Sequence, residues 1–158
     1  LRAVVFAALL MVGLGWLVPV QASDPTIVVR DGWSRATPGG AKVGAGYLVI
    51  ENHGDAQDRL LAVEMAVAGR VEIHETTESG GVTRMRQVQN VPISPHGKVE
   101  LRPGGLHLML MDLRNPLREG DRLDGVLVFE RAGRIPVQLQ VEKIGAPASS
   151  GHESHSSH

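Results

Sequence analysis

Apolar and polar residues alternate in short runs from Ser23 to about Glu142. A period of two is the mark of a strand with one buried face, because successive side chains point to opposite sides. The alternation predicts strands over residues 26–30, 46–51, 59–64, 70–75, 82–88, 98–102, 106–111, 122–130 and 135–141. Between them lie turn signals such as Thr37-Pro38-Gly39-Gly40, Ser79-Gly80-Gly81, Pro103-Gly104-Gly105 and Glu119-Gly120-Asp121. No stretch of this region sustains a helical period. Many short strands with close turns imply an all-β fold, a sandwich or a small barrel.

One run departs from ordinary strand chemistry. In Leu106-His107-Leu108-Met109-Leu110-Met111 the leucines make a core-facing stripe, and the opposite face carries an imidazole and two thioethers. His and Met together form a soft ligand set, and thioether sulfur favours Cu(I). The alternative is a strand buried on both faces, with Met filling gaps and His held by a hydrogen bond. Taken alone, the run leaves both readings open.

Two further positions bear on it. Arg70-Val71-Glu72-Ile73-His74 alternates with Val71 and Ile73 inward, so His74 ends a strand on its polar face. Met85 lies between polar neighbours in Thr83-Arg84-Met85-Arg86-Gln87, which does not suit simple core packing. A hairpin would bring His74 and Met85 close at one end of a sheet. The turn between them reads as long, which leaves the register open. Met65 and Met111 read as packing residues, with a spare thioether as the rival reading of Met111, and Trp33 and Tyr47 read as core aromatics, with shielding of the site from water as their rival reading. His53 and His96, beside glycines in turns, read as solvated.

Composition narrows the function. The chain has 158 residues, a net charge of −1 and no cysteine. Near-neutral charge argues against a nucleic-acid partner. The lack of cysteine excludes disulfides and thiolate metal sites within these residues. At the N-terminal end, Arg2 precedes a long apolar run that closes in Val20-Gln21-Ala22-Ser23. Residues 1–22 therefore read as a secretory signal peptide cleaved after Ala22, with a retained membrane anchor as the rival reading. Export to a bacterial periplasm follows, with no stable membrane insertion after cleavage. That compartment oxidises free thiols, so a metal carrier there gains from using Met and His. Residues 23–144 read as one domain. Residues 145–158 have the Gly/Ser composition of a disordered tail. Its His152, His155 and His158 form a candidate secondary metal site for Cu(II), against the plainer reading of a solvated tail.

The spacing His74-x10-Met85-x21-His107-x-Met109 resembles the signature of the periplasmic copper chaperones called PCuAC. The resemblance extends to Asp31-Gly32-Trp33-Ser34-Arg35-Ala36-Thr37-Pro38, to Gly46-Tyr47-Leu48-Val49-Ile50-Glu51-Asn52-His53-Gly54-Asp55, to Asp58-Arg59-Leu60 and to Leu101-Arg102-Pro103-Gly104-Gly105-Leu106-His107. It covers roughly residues 25–142. It implies a cupredoxin-like Greek-key β-sandwich that binds one Cu(I) through His74, Met85, His107 and Met109. It also implies copper delivery toward the dinuclear centre of cytochrome c oxidase, alongside Sco-type copper proteins.

The chemistry of the residues points the same way. Two neutral imidazoles and two thioethers form an uncharged soft donor set, suited to a monovalent ion and poor for Mg or Ca. No thiol must be deprotonated, so binding competes with protons only at histidine, whose reference pKa is about 6.5. The same site would also suit periplasmic copper storage, import or detoxification. A copper oxidoreductase is a third reading, but it needs more imidazoles than His53 and His96 supply, and no nucleophile–His–carboxylate arrangement is evident. The sequence therefore reads as a binding protein and not an enzyme.

Overall fold

The computed structural model describes residues 26–145. Both the expected signal peptide and the tail histidines His152, His155 and His158 lie outside these residues. Ten strands and no helix are found among them: β1 (Ile27–Arg35), β2 (Val43–Asn52), β3 (Asp58–Met65), β4 (Arg70–Ser79), β5 (Val82–Gln87), β6 (Val91–Ile93), β7 (Lys98–Leu101), β8 (Leu106–Met111), β9 (Arg122–Phe129) and β10 (Gly133–Glu142). They form one sheet in the order β5-β4-β8-β2-β1-β10-β9-β3-β6. All its ladders are antiparallel except β1–β10. β2 serves two partners on one edge: Val43 to Gly46 pair with β8, and Leu48 to Glu51 pair with β7.

A single apolar core holds the sheet together. Leu48 and Ile50 of β2, Ile73 of β4, Leu108 and Leu110 of β8, Leu60 of β3, Leu127 of β9 and Leu139 of β10 belong to one contiguous cluster. These residues come from strands far apart in the sheet order, so the sheet folds over on its own inner face as a sandwich. Leu108 and Leu110 of β8 are buried there as the alternation predicts, and Leu106 is partly buried against the same cluster.

Three details differ from the sequence-based expectation. β6 is an added strand of three residues around Pro92, with Val91 and Ile93 buried; its length hid it from any periodicity. β4 runs on to Ser79, so the turn to β5 is short. Ser79 pairs with Val82 across Gly80 and Gly81, whose φ values of 59° and 76° suit a tight hairpin turn. The third concerns β1. A bulge between Arg30 and Trp33, with Asp31 at φ 52°, reverses which residues face the core. Ile27 and Val29 pack inward before the bulge; after it Ser34 turns inward, and Trp33 turns out.

Candidate metal centre

The outer face of the β4–β8 ladder carries the imidazoles. His74 is the direct cross-strand partner of His107, with Glu72 opposite Met109 and Arg70 opposite Met111. Directly opposed residues share a face with their Cβ atoms about 5 Å apart. The two imidazole centroids stand 6.1 Å apart, with the rings tilted by 46°. With a metal–nitrogen bond of about 2.0–2.1 Å and a ring nitrogen roughly 1 Å from its centroid, one ion held between two imidazoles puts the centroids about 5 Å apart at a tetrahedral angle and about 6 Å apart at a linear one. The observed spacing lies at the wide end of that range.

Hydrogen bonds assign the ring nitrogens. Nδ1 of His107 lies 2.9 Å from the carbonyl oxygen of Gly105, and Nε2 of His74 lies 2.8 Å from Oε2 of Glu72. A carbonyl or carboxylate oxygen only accepts, so each of these nitrogens carries the proton. In the neutral rings the lone pairs then reside on Nε2 of His107 and Nδ1 of His74. Nδ1 of His74 is buried and has no hydrogen-bond partner. A ligating histidine commonly donates its other N–H to a carboxylate or a carbonyl, and both acceptors are present here.

Glu72 is itself held. Oε1 accepts a hydrogen bond of 2.9 Å from Nε of Arg70, whose Nη1 donates to Oδ2 of Asp112. The bond from His74, and after it that from Arg70, holds the Glu72 carboxyl below its ordinary value, so it remains an ionised acceptor. Arg70 is raised in turn, first by its hydrogen bond to Glu72 and then by the charge of Asp112.

The thioethers flank the imidazole pair. Met109 is half-buried beside His107 on the side of Glu72. Met85 pairs with Thr76, one step beyond His74 in the other direction. It sits on β5, an edge strand exposed along its whole length, and is itself 55% exposed. The structure thus puts the four sequence-predicted residues on one sheet face, with Met85 at its open margin. Met111 lies a step further out, opposite Arg70 and Val43. Among the described residues, no three His, Asp or Glu side chains are placed to hold a metal.

Other expectations resolve simply. Met65 packs in the core. His53 and His96 pair with Glu51 (3.0 Å) and Asp55 (2.8 Å). Trp33 and Tyr47 are buried as expected, stacked on each other and not joined to the contiguous apolar cluster. The bulge in β1 places Trp33 on the outer face, where Tyr47 meets it. Glu72 and Gly105 were not recognised from sequence; Glu72 had a signal, because residues i and i+2 of a strand share a face. A groove of about 650 Å³ between β3, β4 and β9 is lined by none of the four ligand candidates. Their site is a surface of the sheet, and no described helix is long and apolar enough to cross a membrane.

Comparison with known proteins identifies the family and the fold. Residues 27–141 match the family described as "Putative lipoprotein LpqE-like". The protein named "Putative lipoprotein Lxx21020" from Leifsonia xyli subsp. xyli is 29% identical over 150 residues, covering 90% of this chain and 89% of its own. The copper-bound PCuAC domain from PmoF2 superposes with a TM-score of 0.63 at 26% identity, over 75% of this chain and 93% of that domain. The solution structure of CuI-DR1885 from Deinococcus radiodurans gives a TM-score of 0.61 at 28% identity, over 79% and 83% of the two chains. The fold is thus the cupredoxin-like sandwich of PCuAC domains, and the chain belongs to the LpqE-like, PCuAC-type family.

Proposed function

We propose that this protein is an exported Cu(I) carrier of the bacterial periplasm, binding one ion through His74, Met85, His107 and Met109. The observation that carries the reading is the buried, partnerless Nδ1 of His74 beside its cross-strand partner His107. A buried polar atom without a partner is costly, and an ion that takes its lone pair removes that cost. The related copper-bound and Cu(I)-bound structures support the choice of metal, and one relative and the family itself, both described as lipoproteins, support export.

Exposure of Met85 favours transfer over storage, import or detoxification. An acceptor can displace a thioether at an open sheet edge before it competes for the more buried His107. Delivery toward the dinuclear copper centre of cytochrome c oxidase, directly or through a Sco-type protein, is the destination we propose. A role as a copper oxidoreductase has no observation in its favour. His152, His155 and His158 would then serve as a loose Cu(II) capture site ahead of the Cu(I) site.

The test is an anaerobic Cu(I) titration of the full chain against a competing chelator, with the three tail histidines replaced by Ala in a parallel sample. One tight site is expected in both samples. Stoichiometric tight binding that survives His74→Ala together with His107→Ala would overturn the assignment. A Cu(II) titration of the same pair of samples tests the tail, and equal stoichiometry would remove it from the pathway. Loss of oxidase activity in a deletion strain would favour delivery, whereas copper sensitivity alone would favour detoxification.

A further inference from the structure

We propose that Glu72 is a positioning residue that makes Nδ1 of His74 the nitrogen offered to the metal, so that the two imidazoles bind through unlike nitrogens. The inference rests on the copper reading above and deepens it. The two rings are cross-strand partners on one face, yet they are held by different devices. His107 donates from Nδ1 to a main-chain oxygen, that of Gly105, which also accepts from the amide of Thr76 at 3.0 Å. Its free nitrogen is Nε2. His74 donates from Nε2 to a side chain, Oε2 of Glu72, and its free nitrogen is Nδ1.

An isolated neutral imidazole exchanges between its two tautomers, and the acceptor beside it decides which one persists. The carboxylate of Glu72 is fixed for this task at both oxygens. Arg70 holds Oε1, and Asp112 holds Arg70 from the far side. Glu72 therefore cannot rotate away from His74 without giving up its bond to Arg70. The result is a chain, Asp112–Arg70–Glu72–His74, that ends in a buried lone pair. A carboxylate on the distal N–H also raises the basicity of the ligating nitrogen, and it places a negative charge next to a monovalent cation.

The experiment is a two-bond proton–nitrogen correlation spectrum of the full chain labelled with ¹⁵N-histidine. It is recorded metal-free and with one equivalent of Cu(I), which is diamagnetic. The metal-free spectrum should show His74 protonated at Nε2 and His107 protonated at Nδ1. Added Cu(I) should shift Nδ1 of His74 and Nε2 of His107. Glu72→Ala should mix the tautomers of His74, leave that of His107 unchanged as a check on the fold, and weaken Cu(I) binding roughly 10–100-fold. Glu72→Gln keeps one acceptor oxygen and loses the charge, so it should recover only part of the tautomer and part of the affinity. A Cu(I) shift at Nε2 of His74, or a Glu72→Ala variant with unaltered tautomer and affinity, would overturn the proposal while leaving the copper site intact. Absence of any Cu(I) shift at either histidine would overturn the copper reading itself, and this inference with it.

Discussion

Trp33 and Tyr47 are cross-strand partners of β1 and β2 whose ring centroids lie 4.4 Å apart. The guanidinium of Arg35 stands 5.5 Å from the first ring and 5.8 Å from the second, within range of a cation–π interaction. The pair shares the outer face of the sheet with the imidazoles, because Tyr47 follows Ala45 by two residues and Ala45 is the partner of Met109. This arrangement exists only because the bulge in β1 turns Trp33 outward.

Gly32 is what permits that bulge. A Cβ at this position would lie 2.5 Å from the main-chain oxygen of Gln138 and 2.8 Å from Cδ2 of Leu139. A main-chain oxygen yields poorly, so Gly32→Ala should destabilise the fold by about 1–3 kcal/mol. Trp33 emission should move to longer wavelength as the ring loses its cover. Denaturant unfolding followed by fluorescence reads both effects, and an unchanged midpoint would show that the bulge tolerates a side chain.

The two thioethers should separate in their effects. Met85→Leu changes an exposed side chain on an edge strand, so stability should hold to within about 0.5 kcal/mol while Cu(I) affinity falls. Met109→Leu replaces a half-buried residue with one of similar volume and should cost less than about 1.5 kcal/mol, again with lost affinity. Paired chelator-competition and unfolding measurements check this. If both variants bind Cu(I) as tightly as the parent, the thioethers are not ligands.

Much of this site is legible in the alternation of 106–111 and 70–74, since a strand that buries Leu108 and Ile73 must turn His107 and His74 the other way. What alternation does not carry is position across strands. Nothing in the spacing says that His74 meets His107 directly while Met85 falls opposite Thr76; those facts depend on β4 continuing to Ser79 and on the two-glycine turn. The face of Trp33 was illegible for a related reason, as one extra residue at Asp31 inverts every side chain after it. Glu72 looked like a solvent-side carboxylate because its role lies in a hydrogen bond and not in a period.

Asp58 gives a test of the fold away from the metal site. Only 3% exposed, it accepts backbone amide bonds from Arg59 (2.7 Å) and Arg131 (2.9 Å) on Oδ1 and from Ala132 (2.9 Å) on Oδ2. These bonds pin the β9–β10 turn to the start of β3. Asp58→Ala strands three donors and should cost on the order of 3 kcal/mol. Asp58→Asn keeps one acceptor and should cost less. Thermal unfolding ranks the three proteins, and Cu(I) affinity should stay at the parent value in both variants. Equal stability of parent and Asp58→Ala would contradict the structural role.

Proton effects on binding and on folding should fall in separate windows. Glu51, Glu64 and Glu72 are all held below the ordinary carboxylate value, chiefly by hydrogen bonds from His53, Arg134 and His74 respectively. A carboxyl depressed in the folded state adds stability above its unfolded value of about 4.3, and that stability is lost as pH falls through the lower folded value. Their contribution is thus intact at pH 5.5 and fades only in stronger acid. Cu(I) in the proposed site must instead displace protons from its two imidazole ligands, so its affinity should fall about tenfold or more between pH 7.5 and 5.5. Chelator competition and urea unfolding at those two pH values check both halves: the copper should loosen while the unfolding midpoint barely moves. Flat Cu(I) affinity across the interval would count against two histidine ligands, and a collapse of the midpoint at pH 5.5 would mean that metal is lost by unfolding.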